Sequence, residues 1–405
     1  MDQKTKNITF SLLIVLILYL FLELSCFQTL AILKKKRNIE YSPLNVKTHL
    51  PEQIEILDKM IEDKTNYTRF DPDLGWTLKE HGSFGPHYTT NSYGLRSKRE
   101  YNFTKTPGAL RIMAFGDSFV HGDGVSNNST FPFFLESVGN VEALNFGTSG
   151  YGLDQAYLKY QKYGKKFETD IVLICFMSEN IYRHRMVYWP FYVNYQKRTP
   201  VKQVLPKPRF KMEHDELVLI PQPFKTLDDV RDFRDHPEQY LPQLGRNDFF
   251  YQAGYTEGPL DFSPAMRLSK VFSHNILKVG DDIIKNGQYN TSSESFQMTT
   301  KLIDNFVSEV QKTGALPIVI VFPMDVDFFN LRDHNPKRYE PLLTYLKEKQ
   351  YLYIDMMDPL ERLLQQIPLD QIIQGHYSPT SNKVVADSIL AYILKLMALS
   401  KKAGH

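Results

Sequence analysis

From residue 109 onward, five short apolar runs of strand character recur along the chain: Leu110–Phe115, Val141–Phe146, Ile171–Phe176, Leu316–Phe322 and Tyr351–Ile354. Between them lie "TFPFFLESVG", "LDQAYLKYQKYG", a long helical region from about Pro264 to Thr313, and "PKRYEPLLTYLKEKQ", all of helical pattern. A near-continuous apolar run suits a strand covered on both faces, and strands alternating with helices build a parallel sheet. A final helix opens at Ser378-Pro379, where Ser is a favoured N-cap and Pro fits the first turn. It carries Val385, Ile389, Ile393 and Met397 as one apolar stripe. This alternation predicts an α/β domain over residues 108–400. The third and fourth runs stand about 140 residues apart, more than one crossover needs, so an insertion lies between them. Its first part, about 183–262, is dense in Pro, Tyr, Phe and Arg, which suits either a lid over substrate or a packed decoration.

Upstream of that domain the chain changes character twice. Residues 8–33 are predominantly apolar with Glu23 as the single charge, enough helix to cross a hydrocarbon layer of ~30 Å, and this segment reads as a transmembrane anchor after a short tail, 1–7. A cleaved signal peptide is the rival; against it, the run is long for such a peptide and no small-x-small site precedes Lys34. Lys34-Lys35-Lys36-Arg37 outweighs Lys4 and Lys6, and by the positive-inside rule alone the large C-terminal part would stay in the cytoplasm. Residues 34–107 then read as a short amphipathic helix over 51–64, a stalk or early packing element, followed by extended strands and turns.

Composition narrows the partners. The 405 residues hold 48 basic and 46 acidic side chains, a net +2, so no overall field argues for nucleic acid. The two cysteines, Cys26 and Cys175, support neither a disulfide framework nor a thiolate metal site, and no histidine spacing builds one, so neither metal nor cofactor is expected.

In an open parallel sheet, ligands gather beyond the C-terminal ends of the strands. Four short sequences fall there: "GDS" with Ser118 after the first run, "NFGTSGYG" with Gly150 after the second, "FMSEN" with Asn180 after the third, and "QGHYSP" with His376 before the last helix. They form a set for acyl transfer. A serine hydroxyl needs a base to take its proton, and a neutral histidine is matched to that near pH 7. The charge then developing on the carbonyl oxygen wants preorganised donors, which the N–H groups of Ser118 and Gly150 and the amide of Asn180 can supply. Asp117 reads as the residue that holds the turn around Ser118.

The order GDS, then Gly, then Asn, then a C-terminal His resembles the SGNH, or GDSL-type, hydrolase superfamily, over roughly residues 108–400. "DPDLGW", "TNSYGLR" and "GDSFVHGDGV" also look like a bacterial branch of it linked to envelope or surface carbohydrate. The resemblance implies a three-layer α/β/α, flavodoxin-like, five-stranded parallel sheet, with Ser118 as nucleophile, His376 as base, and Gly150 and Asn180 as oxyanion donors. Two departures stand out. The third block usually reads Gly-x-Asn-Asp and here reads Ser178-Glu179-Asn180. The family's acid lies two or three residues before the histidine, where this chain has Gln374 and Ile373. Gln374, or Asp370 six residues upstream, would then orient His376.

Together these features lead us to expect a membrane-anchored serine esterase or O-acyltransferase, of O-acetyl type, acting on an acylated carbohydrate or other small ester outside the cytoplasm. The alternative is a catalytically weakened protein of the same fold for glycan binding or polysaccharide assembly.

Overall fold

The structure is a computed structural model that describes residues 2–37, 39–41, 43, 46, 48–195, 203–254, 257–275 and 283–403. The five apolar runs become β1 (Leu110–Phe115), β2 (Val141–Asn145), β3 (Ile171–Met177), β4 (Leu316–Phe322) and β5 (Tyr353–Asp355). They form one parallel sheet in the order β2-β1-β3-β4-β5, with Leu110 beside Val141, Ile112 beside Ile171 and Leu316 beside Ile171 on the other edge of β3. The last strand begins at Tyr353 and not Tyr351. Gln350 adopts a left-handed φ of 57° and the Tyr351 N–H donates to the Leu346 carbonyl, so these residues close the preceding helix.

The helices around the site are, in chain order, α1 (Gln3–Arg37), α2 (Pro51–Ile61), α3 (Ser118–His121), α4 (Leu153–Lys162), α5 (Asn180–Arg183), α6 (Pro264–Asn275), α7 (Glu294–Lys312) and α8 (Pro379–Ala403). Alternate strand residues feed two cores because successive side chains point to opposite faces. Met113, Phe115, Val172, Ile174 and Val319 meet Leu57 of α2, Leu153 of α4 and Phe306 of α7 on one face. Ile112, Ala114, Leu173, Ile318 and Ile320 meet Val385, Ile389 and Ile393 of α8 on the other. The result is a three-layer α/β/α fold.

The helical region expected over 264–313 is two helices with a β-hairpin between them. Asn286 (φ 51°) and Gly287 (φ 78°) both take left-handed backbone, the conformation a two-residue type I′ turn requires, and they join Ile284–Lys285 to Gln288–Tyr289. Residues 276–282 of that region, and 196–202 and 255–256 of the insertion, lie outside the described residues. The rest of the insertion packs onto the sheet's first core through Phe191, Tyr192, Phe233 and Phe250. α2 likewise packs, burying Leu57 and Met60. α1 is long and apolar enough to cross a membrane, and none of its residues is fully buried.

Candidate active site

β1 lies between β2 and β3, and the crossovers leaving it run in opposite directions. That makes the carboxyl ends of β1 and β3 the topological switch point of the sheet. The chain leaves β1 through Gly116 and Asp117 straight into α3, which puts Ser118 at that switch point as the first residue of a helix. Asp117 is the N-cap: its Oδ1 accepts the Phe119 N–H at 2.9 Å. Its Oδ2 accepts from the Asn180 Nδ2 at 3.0 Å, and Arg183 NH1 stands 3.6 Å from the same oxygen. Asn180 and Arg183 belong to α5, which follows β3. One buried carboxylate therefore ties the Ser118 turn to the Asn180 turn across the switch point.

The loop after β2 lies directly on α3. The Thr148 N–H donates to the Gly116 carbonyl at 3.2 Å, and a Cβ on Gly147 would stand 2.1 Å from the His121 nitrogen, so only glycine fits there. Gly150 has φ 81°, again glycine's region. Three side chains hold the carbonyls beside it: Trp76 Nε1 and Gln203 Nε2 donate to Ser149 O at 3.1 and 3.3 Å, and Trp189 Nε1 donates to Gly150 O at 3.1 Å. With these carbonyls engaged, the N–H groups of Ser118 and Gly150 donate to no other described residue.

His376 sits on a small hairpin, Ile373–Gln374 against His376–Tyr377, that turns at Gly375. The Tyr377 hydroxyl donates to the Pro323 carbonyl at 2.8 Å, and the Ser381 hydroxyl of α8 donates to Ile372 O at 2.8 Å, so the hairpin is fixed at both ends. The His376 ring lies 5.4 Å from the ring of Phe119, the residue after Ser118. The topology thus brings Ser118, Gly150, Asn180 and His376 to one rim. It does not bring the side chain of Gln374 or Asp370 into that contact: both residues are exposed, and neither side chain hydrogen-bonds to the His376 ring. Asp117 and Asp123 both lie within electrostatic reach of His376.

The sheet, its two helical layers and this rim form the three-layer α/β/α arrangement expected from the sequence. No family model matches the chain, and no curated protein does. Among solved structures it is similar to a putative lipolytic protein of the G-D-S-L family from Desulfitobacterium hafniense, at 12% identity and TM-score 0.34, covering 70% of this chain and 99% of that one. A lipolytic G-D-S-L protein from Veillonella parvula gives 13%, 0.34, 70% and 97%, and an alpha/beta hydrolase from a Lake Arreo metagenome gives 13%, 0.35, 70% and 95%.

Where the chain departs from the SGNH pattern, other residues have taken hold. Ser178, in place of the third-block glycine, gives its hydroxyl proton to Asp327, accepts from Arg338 NH2 at 3.0 Å, and has its carbonyl bound by the Tyr289 hydroxyl. A second polar layer backs the nucleophile's helix. The His121 imidazole is fully buried between the Tyr67 hydroxyl, 2.6 Å from Nε2, and Asp123 at Nδ1, while Ser149 Oγ donates to both Asp123 oxygens at 2.6 and 2.8 Å. Burial pushes the His121 pKa down against the pull of Asp123, which favours the neutral ring. Burial also pushes Asp117 up, and the Arg183 guanidinium works against it. Among the described residues no group of three or more His, Cys, Asp or Glu could hold a metal ion.

Sequence reasoning missed Arg183, the Ser149–Asp123–His121 chain and the two indoles. His121 and Asp123 stand in plain view in "GDSFVHGDGV"; the partners that define them come from residues 67 and 149.

Proposed function

We propose that the protein is a serine hydrolase or O-acyltransferase acting on an ester, with Ser118 as its nucleophile. The observation that carries this is the Asp117 carboxylate, which holds the Ser118 turn with one oxygen and the Asn180 carboxamide with the other, while the His376 ring packs on Phe119 alongside. Ser118 Oγ attacks the ester carbonyl as His376 takes its proton. The negative oxygen so formed is met by the N–H groups of Ser118 and Gly150 and by the second N–H of Asn180. Collapse expels the alcohol, which takes the proton from His376, and leaves an acyl-serine for water or a sugar hydroxyl to resolve. The imidazolium formed on the way lies within electrostatic reach of Asp117 and Asp123, and these two carboxylates would stabilise it in place of an acid just upstream of the histidine.

An acylated carbohydrate is the substrate this reading favours. The likeness of "DPDLGW", "TNSYGLR" and "GDSFVHGDGV" to the carbohydrate-linked branch supports it, while the buried indole of Trp189 shapes the Gly150 loop from beneath. The exposed Gln374 and Asp370 favour the second reading, a glycan-binding protein of weakened activity. Hydrolysis of 4-nitrophenyl acetate by the purified chain separates the two: the esterase reading requires turnover that Ser118→Ala abolishes, and an unchanged rate in that variant overturns it. With α1 as anchor and a surface glycan as target, the site lies outside the cytoplasm; a C-terminal reporter active only in the cytoplasm would reverse that side.

A further inference from the structure

The single charge in the apolar helix has a partner. Glu23 accepts the Ser263 hydroxyl at 2.6 Å and the Ala265 N–H at 3.1 Å, and Ser263 Oγ in turn accepts the Met266 N–H at 3.3 Å. The carboxylate therefore sits at the capped start of α6, and α6 packs along α1. The half-buried positions of α1 include Glu23, Cys26, Leu30 and Leu33, spaced three and four residues apart on the face that α6 covers. In the same segment Leu260, Phe262, Met266 and Phe272 stand out, 55%, 70%, 37% and 47% exposed, while Val271 is buried. Within the segment the Asp261 Oδ2 accepts Lys270 Nζ at 2.7 Å and the Gly258 N–H at 2.8 Å.

Four large apolar side chains exposed on one short segment mark a surface that meets something apolar. The occupant follows from continuity, because α6 lies against α1, whose own apolar side chains are exposed along its length. From Ile8 to Glu23 the helix rises roughly 22 Å, against a hydrocarbon thickness of ~30 Å. Counted from Ile8, the contact between Glu23 and the start of α6 thus falls in the outer third of the layer, on the side of the large domain, where a charge needs donors. We propose that residues 260–272 are a membrane-surface element, with Leu260, Phe262, Met266 and Phe272 set among the acyl chains of the leaflet that α1 enters on the side of the large domain. This rests on α1 as the anchor and is independent of the chemistry at Ser118.

The test uses the full chain in phosphatidylcholine vesicles, with Phe262→Trp and Phe272→Trp made singly and Ile14→Trp as the marker of the anchor. Trp76 and Trp189 are buried and give the parent emission to be subtracted. The added emission at 262 and 272 should be quenched several-fold more by lipids brominated near the headgroup end of the acyl chain than by aqueous iodide. Bromolipid quenching at 14 with iodide quenching at 262 and 272 overturns the proposal alone. Iodide quenching at all three overturns the anchor and the proposal with it.

Discussion

Asn180 offers two N–H donors, one given to Asp117, and its Oδ1 is buried without a partner among the described residues. Removing the carboxamide should leave substrate binding nearly intact and lower turnover by about 100-fold or more, the usual cost of one oxyanion donor. Steady-state hydrolysis by Asn180→Ala checks this, and a change confined to KM contradicts it. The places of Ser118 and His376 in the fold were legible because their signals are local: one follows a strand and starts a helix, the other stands two residues before Ser378, just ahead of α8. Arg183 was not, since nothing in "NIYR" announces that its guanidinium will stand 3.6 Å from a carboxylate 66 positions earlier. Such residues are defined by a meeting that only tertiary structure brings about.

At the scale of elements, α4 buries a lysine under the Gly150 loop. Lys159 Nζ donates to Thr148 Oγ1 at 2.7 Å, and burial drives its pKa down to about 7, with Asp71 opposing the shift. In the unfolded chain the same amine titrates near 10.4. Between about pH 7 and pH 10 the unfolded state therefore binds more protons, so stability rises with pH across that window, and below it the folded state carries the full cost of a buried charge. Replacing the amine removes the effect: the unfolding free energy measured by denaturant titration from pH 7 to pH 10 should climb in the parent and climb less in Lys159→Met, a difference on the order of a few kcal/mol. Equal slopes would contradict this account of α4. The five strands were legible because an apolar run covered on both faces has a plain signature. The hairpin at 284–289 was missed although Asn286-Gly287 encodes its turn. Two amphipathic stretches on either side, α6 and α7, read as a single helix when the turn between them is overlooked.

Over the whole molecule, the alternation of strands and helices fixed the layers, but the arrangement around them came from packing. The N-terminal segment and the insertion, on opposite sides of the sequence from β1 and β2, each send one of the chain's two indoles to the carbonyls at 149 and 150. That convergence is what turns four scattered motifs into one rim, and it makes activation of Ser118 the claim on which the account stands. Intact mass after exposure to a fluorophosphonate measures it most directly. The account predicts a single adduct that maps to Ser118, is absent in Ser118→Ala and forms far more slowly in His376→Ala; an unlabelled parent, or an adduct that persists in Ser118→Ala, contradicts it.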